Sequence, residues 1–251
     1  MPSLDYDRVA ADYHRRYAQS PMPSVAQALD ALADALAATR ILEVGCGSGR
    51  WLEALARPDR WLTGLDPSRG MLNQARSRLP AIPLIQATGE RLPLAPASFD
   101  LIILVHVLHH LADPGRFWRA ARRTLASDGA IAVVGANPVA PGSAWYIYDY
   151  FEGVRALDEA RFPPWEQVEA WMRDAGFGRV EGRVIHVVDA IFAGEEVFGD
   201  AFLAKNATSQ LAMLSEEAYR AGIERMRAAI AADPHIIFRT HLEMVMMTGR
   251  A

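Results

Sequence analysis

The sequence predicts an α/β protein: a doubly wound, mostly parallel sheet of seven strands with a helical cover over the carboxyl ends of the strands. Three observations predict it. Short runs of branched apolar residues alternate with helical patterns from Ile41 to Gly135, with short connections between them, and such alternation builds right-handed strand–helix–strand units. The first apolar run ends in glycines at alternate positions, Gly45, Gly47 and Gly49, after which Trp51, Leu52 and Leu55 resume at helical spacing. That is the mark of a tight turn between a buried strand and a helix. The run Leu101–Val105 is apolar throughout, as expected of a strand covered by helices on both faces.

The elements follow in order. Tyr6, Val9, Ala10, Tyr13 and Tyr17 recur at three- and four-residue spacing; this predicts a helix over residues 3–20, either packed on the surface or serving as a lid within residues 1–22. Ser24 is a suitable N-cap for a helix that carries Val25, Leu29, Leu32 and Leu36 on one face. After the opening strand, a second runs from Trp61 to Leu65, and its helix carries Met71, Leu72, Ala75 and Leu79. A third strand is expected over Ile82–Gln86 and a fourth over Asp100–Val105; Pro93 and Pro96 hold the segment between them irregular. Asp113-Pro114 pairs a cap with proline at the first helical position, and Phe117, Ala121 and Leu125 form that helix's buried stripe. Ser127-Asp128-Gly129 turns the chain into a fifth strand, Ala130–Gly135.

Beyond Pro138 the pattern changes. Residues 138–165 are crowded with aromatics, among them Trp145, Tyr146, Tyr148, Tyr150, Phe151, Phe162 and Trp165. A helix from Trp165 to Ala175 ends at Gly176, a suitable left-handed cap. Strand patterns over Val180–Phe192 and Ile236–Met247 flank a helical stretch, residues 194–234, and would extend the same sheet. Residues 138–165 and 194–234 are therefore expected to be insertions that cover the strand ends, within a single domain spanning 1–251.

Composition narrows the function classes. The 251 residues are 51% hydrophobic and 22% charged with a net charge of −4, an ordinary globular balance without the clustered basic surface of a nucleic-acid partner. Arg116, Arg119, Arg122 and Arg123 on one helix read as a solvated face. The lone cysteine, Cys46, excludes a disulfide framework and a cysteine zinc site. The first residues lack the apolar run of a signal peptide, and Leu101–Val105 is too short to span a bilayer, so no membrane partner and a cytoplasmic location are expected. A homodimer is left open.

Ligands of such sheets bind outside the carboxyl ends of the strands, near the point where strand order reverses. A glycine turn that admits positive φ, followed by a helix N-terminus, suits a nucleotide-like cofactor. The dinucleotide pattern G-x-G-x-x-G fails here, because Arg50 occupies its sixth position. Two carboxylates accompany the turn: Glu43 in the strand before it, and Asp66 at the end of the next strand. Asp66 can accept the hydroxyls of a ribose, or cap the helix that begins at Pro67-Ser68.

The stretches ILEVGCGSG, LTGLDPSRGML, LIQATGERLPLAPASFDLIILVHVLHHLADP and RTLASDGAIAVV together resemble the class I S-adenosylmethionine-dependent methyltransferases, in their small-molecule branch, over roughly residues 38–137, the expected cofactor-binding core. The resemblance implies a Rossmann-like methyltransferase fold, S-adenosylmethionine as cofactor and a small-molecule methyl acceptor. By the same resemblance, Glu43 would hold the cofactor's amino group; Gly45, Cys46, Gly47 and Gly49 would lie against its methionine and ribose; Asp66 would bind the ribose; and Pro67 and Met71 would pack near the adenine. In the third motif the family commonly has an aspartate where this sequence has Thr88, so the adenine contact would fall to Thr88, Gly89 and Glu90. Val105 and His106 would lie beside the methionine moiety, and Tyr13 and Tyr17 match the aromatic positions of the family's lid helix.

A hydroxyl or acidic carbon acceptor needs a base, and histidine suits neutral pH. His106, His109 and His110 would share one face if a helix began just after the fourth strand. His110 and then His106 are the candidates, with Tyr146, Tyr148, Asp149 and His186 as further choices. The three histidines also read as a helix cap or, with Asp113, as a weak metal set; no metal is expected. A nicotinamide-dependent oxidoreductase and a non-catalytic cofactor-binding regulator are the competing classes.

Overall fold

A computed structural model describes residues 6–7 and 22–251. Tyr13 and Tyr17, and most of the expected lid helix, lie outside the described residues. The elements are α1 (Pro23–Ala35), β1 (Arg40–Val44), α2 (Arg50–Leu55), β2 (Trp61–Asp66), α3 (Arg69–Arg78), β3 (Leu84–Gln86), β4 (Phe99–Val105), α4 (Pro114–Thr124), β5 (Leu125–Ala136), β6 (Ala144–Trp145), α5 (Ile147–Tyr150), α6 (Val154–Arg161), α7 (Trp165–Asp174), β7 (Gly178–Ala193), α8 (Ser209–Ala212), α9 (Glu216–Ala232) and β8 (Ile237–Arg250).

They form an eight-stranded sheet in which β3, β2, β1, β4 and β5 run parallel, in that order. β8 lies antiparallel to β5, pairs β6 with its other half, and pairs β7 along its far edge. The eighth strand is β6, two residues long and in line with β5. Strand order reverses between β1 and β4, which places the glycine turn at the switch point.

Each face of the sheet has its own core. Val25 and Leu29 of α1, Leu52 and Leu55 of α2 and Leu72 of α3 pack on Ile41, Leu101, Ile103 and Ala132. Phe117, Trp118 and Ala121 of α4 and Val168 and Met172 of α7 pack on Leu42, Ile102, Leu104 and Val133. Residues alternate faces along each strand, as the pleat requires. A third cluster joins the segments between the last strands: Tyr146, Ile147, Phe151, Val197, Leu211 and Met226 meet around Phe238.

Asp113 caps α4 as expected, accepting from the Arg116 N–H at 2.9 Å. Gly176 ends α7 with φ +86°, and the Phe177 N–H returns to the Met172 carbonyl. Ser24 does not cap α1. The helix starts at Pro23 after Met22, and the Ser24 hydroxyl bonds Nδ1 of His186 at 2.8 Å. Leu125 begins β5 rather than ending α4, and Ser127-Asp128-Gly129 fall within a register shift of that strand. The stretch 194–234 is only partly α-helical: two 3-10 turns, Gly194–Gly199 and Ala201–Leu203, precede α8 and α9. Among the described residues, no helix is long and apolar enough to cross a membrane.

Candidate active site

The glycine turn is tied down from below. The N–H groups of Gly45 and Cys46 both donate to the Leu65 carbonyl of β2, at 2.7 and 3.0 Å. Gly45, Gly47 and Gly49 have φ of +72°, +52° and +83°, the left-handed region that side chains disfavour. Their surroundings differ. A Cβ on Gly45 would strike Val107, and one on Gly49 would strike Leu79, whereas one on Gly47 would meet open space. The Cys46 side chain is buried, with Sγ in the core among Leu52 and Leu84 of the α1–α2 face; burial pushes its thiol up beyond any reactive range. Only the backbone of Cys46 is placed to face a ligand.

Asp66 joins the turn to α3. One carboxylate oxygen accepts from the Gly47 N–H at 2.8 Å, the other from the Ser68 N–H at 2.8 Å. Ser68 is the N-cap, its hydroxyl accepting from the Met71 N–H, so Asp66 orders the helix start without capping it. Burial raises the Asp66 carboxyl against the two N–H bonds that lower it. Each oxygen keeps a lone pair for a further donor. Pro67 is exposed and Met71 is buried behind it.

Glu43 is 1% exposed, and its Oε2 has no hydrogen-bond partner among the described residues. Burial, and then the charge of Asp66, push its carboxyl well above the ordinary value. A buried carboxyl with an unpartnered oxygen next to an open glycine backbone is a cradle for a group carrying a positive charge and hydroxyl donors. The amino-acid tail and ribose of S-adenosylmethionine fit it.

Of the third motif, Thr88 is exposed and Gly89 is buried against Leu111. Glu90 accepts from the Ala112 N–H at 2.8 Å, which fixes the loop after β4. Arg50 opens α2, with its guanidinium 4.5 Å from the Trp51 ring centroid.

The histidines do not share a helix face. His106 follows Val105 with φ +58°, its N–H bonded to the Val134 carbonyl, and a single 3-10 turn, Leu108–His110, follows. Asp113-Pro114 then starts α4 afresh, so a longer helix cannot form. The three side chains converge nonetheless, because all of them line one cavity of about 560 Å³. The His109 ring stacks on Phe162 at 4.2 Å and meets His110 at 4.0 Å. Nε2 of His110 lies 2.7 Å from the Tyr6 hydroxyl. Beside Tyr6, Asp7 accepts from the Ser68 hydroxyl at 2.6 Å and the Gly70 N–H at 2.7 Å. Tyr6 and Asp7 thus connect the two sides of the β1 end. Among the described residues no group of three or more His, Cys, Asp or Glu side chains is placed to hold a metal ion.

The floor of the cavity is the β5–β6–β8–β7 part of the sheet, with Ala136, Trp145, Val188, Ala190, Thr240 and Met244; Asp200, Phe202 and Gln210 line it from the segment after β7. The further base choices fail here. Tyr146 donates to Asp200 and Tyr148 to Asp158; burial and those carboxylates raise both phenols far beyond the neutral range. His186 is held by Ser24 and is not part of the lining, and Asp149 is exposed away from it.

A family model described as "Methyltransferase domain" matches residues 42–133, from β1 to β5. Over those residues the chain is similar to S-adenosylmethionine-dependent methyltransferases. A Mycobacterium tuberculosis protein named as a probable S-adenosylmethionine-dependent methyltransferase is 34% identical over 108 residues, covering 43% of this chain and 39% of that protein. A ubiquinone biosynthesis O-methyltransferase of Azorhizobium caulinodans is 32% identical over 149 residues, covering 55% and 58%. The chain thus spans about half the length of the curated relatives it matches. The crystal structure of a SAM-dependent methyltransferase from Thermotoga maritima superposes with a TM-score of 0.59 at 20% identity, covering 98% of this chain and 97% of that one; at that identity the likeness is one of fold. The matched methyltransferase domain contains the glycine turn, Asp66 and the histidines. The distal half of the cavity lies outside it, in residues 138–244, where Asp200, Gln210 and Thr240 carry no local motif and are brought in by strand pairing and the third cluster.

Proposed function

We propose that this chain transfers a methyl group to a small organic acceptor by in-line displacement. S-adenosylmethionine, when bound, supplies a methyl group already activated on a sulfonium. The observation that carries the reading is the junction at Val107–His106: Val107 packs against Gly45 of the turn, and His106 next to it lines the cavity. Cofactor cradle and acceptor space therefore meet at one point. Glu43, Asp66 and the Gly47 backbone hold and orient the cofactor, with Pro67, Met71 and the Thr88–Glu90 turn flanking its adenine side.

Residues 138–165 and 194–234 form the acceptor cover, closing an apolar space in which a sulfonium charge is easily neutralised and water is kept out. Positioning is the larger part of catalysis in such a displacement. His110, in contact with the Tyr6 hydroxyl, takes the proton of an acceptor hydroxyl or acidic carbon; His106 is the alternative base. Incubation with methyl-labelled cofactor and a metabolite extract should give labelled small products, and S-adenosylhomocysteine, but not NAD, should raise the melting temperature. No labelled product together with no stabilisation would reject the proposal.

A further inference from the structure

The cavity also carries information about its occupant. It is lined mainly by apolar and aromatic side chains, and most of the polar groups among them are already engaged. Asp200 accepts from Tyr146 and from the Phe202 N–H, Gln210 donates to Asp158, and Thr208 caps α8. Thr240 is the exception. It is 5% exposed, it lines the cavity, and its hydroxyl oxygen has no partner among the described residues. Among the described residues, no Lys or Arg lines the cavity, and Asp200 is the one carboxylic acid that does.

The register gives the cavity a direction. Met244 pairs with Ala136, and Thr240 with Trp145, so the floor runs four residues along β8, about 13 Å at the usual rise per strand residue. His106 extends β4 beside Val134, at the Ala136 end; Trp145, Thr240 and Phe192 stand at the other.

We infer that the methyl acceptor is an elongated, mainly apolar molecule without negative charge, carrying a hydrogen-bond donor, a hydroxyl or amine, at the end remote from the methylated atom. The apolar floor of Val188, Ala190, Leu242 and Met244 takes its body. The unengaged Thr240 hydroxyl and the Asp200 carboxylate receive the donor. A carboxylate or phosphate there would face the Asp200 carboxylate, with no cation beside it among the described residues. This deepens the methyltransferase reading and rests on it.

The test is equilibrium binding to the full chain, with and without S-adenosylhomocysteine, of four probes of matched length: decanol, decylamine, decyl methyl ether and decanoate. Decanol and decylamine should bind at least about tenfold more tightly than the ether and the acid, the size of effect expected when a buried polar group is left unmatched. Thr240→Val should cut decanol affinity about threefold or more, and Asp200→Asn should weaken decylamine more than decanol. Ala190→Trp should abolish binding of every probe while leaving S-adenosylhomocysteine binding unchanged. Decanoate binding as tightly as decanol, or probes binding Ala190→Trp like the parent, would overturn the inference. If Ala190→Trp fails to fold by circular dichroism, Thr240→Val decides, and unchanged decanol affinity overturns it. Loss of probe selectivity with S-adenosylhomocysteine still bound defeats this inference alone; probe selectivity without S-adenosylhomocysteine binding defeats the methyltransferase reading alone.

Discussion

The Tyr6 hydroxyl and Nε2 of His110 stand 2.7 Å apart, although 104 residues separate them in sequence. Their rings meet edge to face at 5.3 Å. The contact orients an imidazole that lines the cavity. If His110 is the base, His110→Ala should lower kcat about a hundredfold or more and remove the acidic limb of the pH–rate profile. Tyr6→Phe should keep that limb and cost about tenfold or less, the value of one hydrogen bond. The same measurements on His106→Ala decide between the candidates. A kcat and pH profile unchanged in both histidine variants would end the base assignment.

The turn glycines separate stability from binding. Gly45→Ala puts a methyl group into Val107 at a backbone φ of +72°. It should destabilise the protein by about 2–4 kcal/mol, from left-handed strain plus overpacking. Gly47→Ala meets open space at φ +52° and should cost about 1–2 kcal/mol. Its larger effect should be on S-adenosylhomocysteine, with affinity down about tenfold or more, because the added methyl group points where the ligand backbone must lie. Calorimetric melting and ligand titration of both variants check the contrast. Equal losses of affinity in the two would remove the special place given to Gly47.

The parallel half of the fold was legible because each of its elements announces itself locally. β1, β2 and β4 are apolar runs ended by a glycine, an Asp-Pro and a histidine, and α4 begins at Asp113-Pro114. What escaped has partners far away in the chain. β6 is two residues long and exists only through its pairing with β8, so it has no periodicity to read. Ser24 looks like a cap in sequence, but His186, 162 residues on, takes its hydroxyl. His106 adopts φ +58°, which no residue pattern signals for a histidine, and this broke the expected helix. The glycine turn and Asp66 at the strand ends were thus legible in spacing. The far end of the cavity, lined by Asp200, Gln210 and Thr240, was not.

If Glu43 holds the cofactor's amino group, it links cofactor binding to pH. Its carboxyl is raised in the fold, chiefly by burial and then by Asp66, above the ordinary value of 4.5. Between 4.5 and the raised folded value, the native state holds a proton that the unfolded chain has lost. Stability therefore falls as pH rises through that window. Glu43→Gln removes the titration, so its melting temperature should exceed the parent's at pH 7 and the gap should shrink toward pH 4. The same change should weaken S-adenosylhomocysteine, whose amino group loses a carboxylate partner. A melting temperature that rises with pH equally in both proteins would contradict the assigned sign.

The polar network behind the cavity wall sets a last prediction. Asp158 is 0% exposed. It accepts from Tyr148 at 2.7 Å, Arg161 at 2.6 Å and Gln210 at 3.0 Å, which joins α5, α6 and α8. The Arg161 side chain is 5% exposed. Removing its counter-charge would leave a buried guanidinium uncompensated, a change that costs about 3–5 kcal/mol. Asp158→Ala should therefore lower the melting temperature by roughly 6–20 °C for a chain of this size. Asp158→Asn keeps one acceptor oxygen, for Tyr148 and Gln210 or for Arg161 but not for both sides, and loses the charge; it should fall between parent and alanine. Because Gln210 lines the cavity, both variants should also raise KM for the acceptor while leaving S-adenosylhomocysteine affinity unchanged. The cofactor cradle shares no residue with this network. A drop in S-adenosylhomocysteine affinity as large as the rise in KM would show that the cover and the cradle do not respond independently.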